Sequence, residues 1–530
     1  MDAADHFLVR EADEDDAQAV CDLFESAYGA GYAYPEFYQA RHLRKMILGE
    51  ENLVLVAVER ATGRVLGTAA VVLEIGAYSD LVGEFGRLVV HPDARRRGVA
   101  QLLMAERVRQ VRERLHIGLV ESRTVHPFAQ RLSAGAGFAP VGLLPNKLNM
   151  GGPREHVAVW VQYFQDAFEL RRNHPRLVPE IYPLACRAFA SLGLECDASV
   201  VEREPPYTAG EGLELEELTA KGYSSLLRIE RGRHRHREVF GPLRLHYGYF
   251  KLRATQSTYL VARRAGHVAA ALGFTHDEHE QSLRIFELIV IEEDAIRPLF
   301  DELERRSLEW QVELVEIDVS AYAPRLQRTL VELGYVAAAY VPALAFHRVE
   351  RLDLVKMVRL TNPPNAPAEL IPQMQTVAEL VLRSFDRRVV SPHLRQAAAG
   401  TGLFEELAEE QIDRLASMLE VRHVEADTRL FEAGTASDEM FLVLRGELEI
   451  RSKDGRTVGR VGTGECLGEV SLLAETDHSA SAVADDTCEL GVLGRRELDE
   501  LVRQRPDIGV QLYRNLARGL GAKLNRAGAL

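Results

Sequence analysis

Two long stretches of the chain repeat one order of apolar and polar positions. Residues 53–72, LVLVAVERATGRVLGTAAVV, are two apolar runs around a turn at Gly63. Residues 258–274, TYLVARRAGHVAAALGF, are two more around Gly266. Each pattern predicts a hairpin of buried strands. Further along, strands over 117–122 and 312–319 lead into helices over 127–136 and 324–333, and a Gly-Phe or Gly-Tyr step then opens another strand. Aligning Phe138 with Tyr335 also pairs Pro127 with Pro324, Gln130 with Gln327, Arg131 with Arg328 and Pro145 with Pro342, all on one offset of 197. Repeated matches on one offset mark two copies of a single α/β unit. The first copy adds a helix near 14–27 and a strand near 155–164.

Between the copies, residues 166–205 hold a helical run, PEIYPLACRAFASLGL, and read as a helical connector. Residues 351–397, with NPPNAP and a helix near 366–384, read as a second connector. Beyond it the pattern changes to short apolar strands broken by glycine turns, which predicts a small β-barrel or jelly-roll with flanking helices over 398–530. Its last helix carries Ile508, Leu512, Leu516, Leu520 and Leu524 at a spacing of four. That stripe either covers its own barrel or pairs two chains in a homodimer.

Composition narrows the function. The 530 residues are 46% hydrophobic and 27% charged, ordinary for a globular protein, with a net charge of −15. Such a chain is not built to coat nucleic acid. The acidic start lacks a signal-peptide core, and no apolar run reaches the length of a membrane span, so neither export nor a membrane partner is expected. Cys21, Cys186, Cys196, Cys466 and Cys488 are odd in number and scattered, which suggests no disulfide framework and no metal site. A cytoplasmic location follows as the expectation.

Residues 84–104, EFGRLVVHPDARRRGVAQLLM, concentrate the chemistry. A strand ends near Val90, a turn follows at Pro92, and Gly98 and Ala100 open an apolar helix. Small residues let a ligand approach the backbone, and the free amides of a helix start attract anions. With Arg95, Arg96 and Arg97 just ahead, this reads as a diphosphate cradle. Here the chain resembles the GNAT superfamily of acyl-CoA-dependent N-acyltransferases, through Arg95-Arg96-Arg97-Gly98-Val99-Ala100 after Val90-His91-Pro92 and the later helix with Gly-Phe. The resemblance covers roughly residues 7–165. It implies an α/β acyl-CoA N-acyltransferase fold, acetyl-CoA as co-substrate, and direct attack by an amine of a protein lysine or small molecule. Leu88, Val89 and Val90 would pair with the pantetheine arm, and Arg95 to Ala100 would hold the pyrophosphate. Glu84, where the family often places a base, is a candidate beside a second reading as a solvated strand-end carboxylate; Glu121 is another candidate. His91 and His126 border the cleft, and structural readings of them stand beside functional ones. Ser133 occupies the position of the family's usual tyrosine acid, and serine is a poorer donor.

The second copy, residues 206–350, lacks that loop: Glu292, Glu293 and Asp294 follow its strand FELIVI. Carboxylates there would repel a pyrophosphate, so this copy reads as degenerate, packing against the first and walling its acceptor cleft. His234 and His236, in RGRHRHRE, fit either a solvated basic loop or a site for an acidic acceptor or a metal. Residues 398–530 resemble the cyclic-nucleotide-binding fold, through Gly434, Asp438, Phe441, Val443 and Gly446 and the cassette GECLGEVSLLAETDHSASAVA. The resemblance implies that Gly468 and Glu469 open a short helix, with Glu469 on the ribose, and that Ser479 and Ala480 offer amides to the phosphate of an effector such as cyclic AMP. His478 stands where the family has arginine. It lacks the bidentate fork, and protonation below about pH 6.5 is expected to restore part of the binding.

The expectation is therefore an N-acetyltransferase domain (1–165), a helical connector (166–205), a degenerate copy (206–350), a connector (351–397) and a regulatory cyclic-nucleotide-binding-like domain (398–530). The alternative is a non-enzymatic sensor or scaffold with both sites decayed.

Overall fold

The computed structural model describes residues 3–29, 32, 34–73, 81–149, 152–218, 237–241, 256–364, 368–398, 402–407, 411–412, 415, 419–474 and 476–527. It divides into two compact units, Met1–Leu382 and Arg383–Leu530. His234 and His236 lie outside the described residues, as does most of the helix that leads the C-terminal barrel in sequence. Among the described residues no helix is long and apolar enough to cross a membrane.

The first unit is organised by one 14-stranded sheet. Its first half holds β1 (Phe7–Glu11), β2 (Asn52–Glu59), β3 (Val65–Val72), β4 (Val82–Val90), β5 (Ile117–Arg123), β6 (Ala139–Leu148) and β7 (Glu155–Tyr163). Helices α1 (Ala3–His6), α2 (Ala17–Tyr28), α3 (Ala40–Ile47), α4 (Val99–Val111) and α5 (Phe128–Gly135) accompany them. Then come β8 (Arg176–Leu177), α6 (Tyr182–Ser191) and β9 (Ser199–Val200), with β8 and β9 paired apart from the main sheet. The second half holds β10 (Glu214–Glu217), β11 (Gln256–Arg264), β12 (His267–Asp277), β13 (Ser282–Val290), β14 (Leu314–Ser320), β15 (Val336–His347) and β16 (Glu350–Leu360), with α7 (Ile296–Glu309) and α8 (Pro324–Glu332).

The strand order is β1-β2-β3-β4-β5-β7-β6 followed by β15-β16-β14-β13-β12-β11-β10, so the second half repeats the first in mirror sequence about the β6–β15 contact. That contact runs through one pair, Gly142 and Ala339. A Cβ on Gly142 would lie 2.1 Å from the Ala339 side chain, so glycine is what lets the two edges touch. The repeat-matched glutamines are both fully buried. Gln130 bonds the Glu369 carbonyl and the Ile371 amide, and Gln327 bonds the Val178 amide and the Ser320 carbonyl. Each ties a connecting segment onto its own helix.

One boundary differs from the sequence reading. Residues 351–360, expected as the start of a connector, form most of β16, pairing with both β14 and β15. Their charges hide the strand, because they are buried and paired rather than solvated. Arg351 donates to the Ala343 and Leu344 carbonyls, Asp353 accepts from Arg171 and Tyr340, and Lys356 meets Asp318 at 3.0 Å. The scattered cysteines also gain a neighbour relation: the sulfurs of Cys186 and Cys196 lie 2.6 Å apart as free thiols.

After α9 (Pro372–Ala398) the second unit stacks two four-stranded sheets. One orders β17 (Glu420–Val424), β24 (Cys488–Gly494), β19 (Glu439–Arg445) and β22 (Cys466–Leu467). The other orders β18 (Arg429–Phe431), β23 (Ser481–Ala484), β20 (Glu447–Arg451) and β21 (Thr457–Gly462). Val424, Phe441, Val443, Leu448 and Leu490 fill the space between them. Helices α10 (Glu469–Ala474), α11 (Arg495–Gln504) and α12 (Pro506–Ala527) complete the unit. Ile508, Leu512 and Leu516 of α12 are buried against Met440, Leu442, Leu444 and Leu493. These three positions take the first of the two readings, burial within their own unit, and the pairing of two chains stays an expectation for the rest of the helix; the side chain of Leu524 lies outside the described residues.

Candidate functional site

The site begins where two neighbouring strands part. β4 and β5 run parallel and pair only over Val82–Phe85 and Ile117–Val120. On its other edge β4 pairs with β3, but the register jumps from Thr68↔Val89 to Ala70↔Gly86, so Arg87 and Leu88 bulge, with Arg87 at φ +53°. A bulge bends its strand and re-aims its side chains. Arg107 of α4 pins this one. It is buried, lies over the Phe85 ring and donates to the carbonyls of Ala70 and Gly86 at 3.2 and 3.1 Å. The parted strands open a cavity of about 1680 Å³, and Leu88, Val89 and Val90 line it.

The arginine loop forms one rim. Gly98 caps α4 at φ +83°, a conformation that other residues adopt only with strain. The first ladder bond at this end runs from the Leu102 amide to the Gly98 carbonyl. The amides of Gly98, Val99, Ala100 and Gln101 precede it and are the orphan donors of a helix start. Gly98, Val99 and Ala100 line the cavity with Arg95 and Arg96. Arg97 departs from expectation: its side chain pairs with Glu59 at 2.9 Å and lies over Phe7, so it braces β1 and β2. His91 takes its structural reading, since its ring nitrogen accepts from the Asp93 amide. His126 lines the cavity with its ring against Phe128.

The catalytic candidates separate clearly. Glu84 and Glu121 both face the cavity. Glu84 is held by Arg87 at 2.7 Å. Glu121 is exposed into the cavity, and among the described residues its carboxylate makes no hydrogen bond or ion pair. The enclosing protein pushes the Glu121 carboxyl above the usual carboxylate range, against the pull of Lys147. Ser133 also departs from expectation as an acid. It is buried and its hydroxyl donates to the Ala129 carbonyl at 3.0 Å, so its proton is spent within α5. Several lining residues were not singled out from the sequence: Tyr28, Tyr32 and Tyr34 on one side, and Arg284, Asp318 and Lys356 of the second copy on another.

The second copy has the same parting of strands and a different filling. β13 and β14 pair in parallel only over Ser282–Ile285 and Leu314–Ile317. Into the gap runs the segment 237–241. Val239 bridges Val319, the Phe240 amide donates to the Asp318 carbonyl at 2.9 Å, and the Ser320 amide donates to the Glu238 carbonyl at 2.8 Å. Gly241 passes so close to β13 that a Cβ there would lie 2.4 Å from Phe286 Cα. The edge of β14 that in the first copy is open on β5 is thus taken by the chain's own backbone. At the position of the arginine loop, Asp294 pairs with Arg264 at 2.8 Å and Glu293 with Arg325 at 2.6 Å, and Glu292 also pairs with Arg264.

In the second unit Gly468 sits at φ +80°, with a Cβ position 2.9 Å from the Glu439 carbonyl oxygen, and Glu469 opens α10 as a buried residue. Ser479 is exposed and Ala480 half-buried. His478 does not project into solvent. It is 4% exposed, its ring lies flat on Phe431 at 3.8 Å and 12°, and Nδ1 is 3.0 Å from the Ser471 hydroxyl. Its Nε2 is buried without a hydrogen-bond partner among the described residues. Burial lowers the His478 pKa, so protonation, and any phosphate binding it restores, is displaced to lower pH than the residue type alone suggests.

A parted parallel strand pair beside a glycine-capped helix start, joined to a jelly-roll with a glycine-glutamate cassette, defines a protein of two classes in one chain. Residues 50–139 match the family model of the acetyltransferase (GNAT) domain, and residues 421–505 match that of the cyclic nucleotide-binding domain. The chain thus carries a GNAT acetyltransferase domain and a cyclic-nucleotide-binding domain. The cyclic AMP receptor protein of Thermus thermophilus is 36% identical over 125 residues, 23% of this chain and 58% of that protein. A cGMP-dependent protein kinase of Caenorhabditis briggsae is 29% identical over 145 residues, 27% of this chain and 18% of the kinase. The chain therefore spans less than two thirds of either relative. Among solved structures, a ribosomal-protein-S5-alanine acetyltransferase from Vibrio fischeri is 14% identical with a TM-score of 0.27, over 30% of this chain and 94% of that one. A cyclic nucleotide-binding domain from Methylobacillus flagellatus is 26% identical with a TM-score of 0.25, over 26% of this chain and 79% of that one.

Proposed function

We propose that the chain is an N-acyltransferase that moves an acetyl group from acetyl-CoA to an amine, with its chemistry in the first copy and its cyclic-nucleotide-binding domain as a regulatory module. The observation that carries this is the contrast between the two strand gaps: one is open and rimmed by free amides with Arg95 and Arg96, the other is filled by residues 237–241. The open edge of β5 and the bulged β4 suit an extended acyl-pantetheine arm, which would lie between them like a strand. The second copy, lacking both the gap and the loop, is read as unable to take acetyl-CoA.

In the reaction the amine nitrogen forms a bond to the thioester carbonyl carbon, the carbon–sulfur bond breaks, and the ammonium proton must first be removed. Glu121 is the better base of the two carboxylates. It is unpaired, and its raised pKa brings it nearer the working range of a general base. Glu84 is already engaged by Arg87. With the Ser133 proton spent, the thiolate leaves without an acid from that position, which the modest basicity of a thiol, with an ordinary pKa of about 8.5, permits.

The test is acetyl-CoA binding by calorimetry. Gly98→Glu removes binding but also strains a residue at φ +83° whose Cβ would sit 2.7 Å from Ala3, so Ala100→Glu is the cleaner variant. A carboxylate about 4 Å from a phosphate charge costs on the order of 4 kcal/mol near a protein surface, so affinity should fall about a thousandfold. Unchanged affinity in Ala100→Glu overturns the assignment of the loop.

A further inference from the structure

The cavity of the first copy is finished by the second, and its charges do not all cancel. Three ion pairs are internally satisfied: Glu84 with Arg87, Lys147 with Glu316, and Lys356 with Asp318. Two groups remain. Glu121 on β5 is exposed into the cavity and unpaired among the described residues. Arg284 on β13 keeps 41% of its side chain exposed, and its one ion pair among the described residues is a 3.4 Å contact to Asp318, which Lys356 already holds at 3.0 Å. Its guanidinium fork is thus mostly unspent. A fork of this kind matches a carboxylate at two points at once.

A ligand that satisfies both groups carries one cation and one anion on a small frame. A diamine would place its second positive charge among Arg284, Lys147 and Lys356, and a lone alkylamine would leave Arg284 unanswered. We propose that the acceptor is an amino acid or an amino-acid-like zwitterion, its amine at Glu121 and its carboxylate at Arg284, so that the second copy supplies acceptor recognition to the reaction of the first. This rests on the acyltransferase reading above. It also gives the filled copy a role: residues Phe240 and Gly241 of the inserted segment line the same cavity as Arg284 and Asp318.

The experiment uses the full chain with acetyl-CoA and follows thiol release. The acceptors are the free amino acids, the same amino acids as carboxamides, a short alkyl diamine and a lysine-containing peptide. At least one free amino acid should be turned over, and its carboxamide should be poorer by about ten- to a hundredfold in kcat/KM, the range of one charge-assisted contact. Arg284→Gln should raise KM for that amino acid by a similar factor while leaving its carboxamide and the affinity for acetyl-CoA unchanged. Arg284→Lys, which keeps the charge and loses the fork, should fall between the two, and thermal melting of each variant confirms that it folds. Carboxamides, diamine or peptide used as well as free amino acids, or no acceptor used by a chain that binds acetyl-CoA, overturns this inference alone. Failure of the parent chain to bind acetyl-CoA overturns the acyltransferase reading and this one with it.

Discussion

Replacing His478 by arginine should tighten cyclic AMP binding by about ten- to a hundredfold. The imidazole lies flat on Phe431 at 3.8 Å and ends there, with Nε2 buried and unpartnered. A guanidinium is also flat and stacks on the same ring face, and its longer arm carries the fork beyond the slot. A charge-assisted bond to phosphate is worth about 1.5–3 kcal/mol, and about 1.4 kcal/mol is tenfold in affinity. Against this, Ser471 loses its 3.0 Å partner, a neutral bond worth about 0.5–1.5 kcal/mol. That loss falls equally on the free and bound states, so it lowers stability and leaves the affinity gain intact. Acid is a poorer route to the same charge. Burial holds the folded pKa of His478 below its ordinary 6.5, so as pH drops below 6.5 the unfolded chain takes up the proton first and stability declines toward the folded pKa. The parent should therefore gain less cyclic AMP affinity between pH 7.5 and pH 6.0 than it gains from the arginine substitution. Calorimetric titration of the full chain, its His478→Arg variant and Glu469→Ala at fixed salt reads these quantities directly. Equal affinity of parent and His478→Arg at pH 7.5, or a parent that at pH 6.0 binds as tightly as His478→Arg, refutes the argument.

Two further outcomes follow from the first unit. Glu121→Gln should lower kcat by about 10²–10⁴ with acetyl-CoA affinity unchanged, the range for loss of a general base, and an unaltered kcat in stopped thiol-release assays returns the role to Glu84. His156 is buried, accepts the Asn146 amide at 3.0 Å and has its pKa pulled down to about 4 by burial. Its contribution is full above pH 6.5 and is lost as pH falls toward 4, about 3 kcal/mol in all; urea midpoints of the parent and His156→Phe between pH 7 and 4.5 should show a steeper decline in the parent, and parallel declines count against it.

What the sequence made legible was local. The hairpins of β2–β3 and β11–β12 announced themselves by apolar runs around Gly63 and Gly266, and the loop at Arg95–Ala100 by small residues at a helix start. What stayed hidden depended on partners far along the chain. β16 read as a connector because Arg351, Asp353 and Lys356 interrupt its apolar run, and it takes Arg171, Tyr340, Asp318 and the carbonyls of Ala343 and Leu344 to make those charges bearable in a core. Arg97 looked like its two neighbours until Glu59 and Phe7 took it away. Ser133 and His478 were found at their positions, but where each hydroxyl or ring nitrogen spends its hydrogen bond was not written in the residue type. That the second copy walls the cleft is an expectation of the sequence, but which of its residues reach the cavity is not, since Glu121 and Arg284 belong to different repeats.

The single glycine contact between β6 and β15 has a consequence for how such a protein can be altered. On the proposed reading the donor would be handled on β4, β5 and α4, while Arg284, Asp318 and Lys356, which would recognise the acceptor, stand on β13, β14 and β16, a separate stretch of the gene. A change in the later stretch would then retune which molecule is modified while every residue that meets the donor stays as it was. Duplication would thus give the chain what a lone unit with one cleft lacks: a second set of strands that can vary without a penalty in the chemistry.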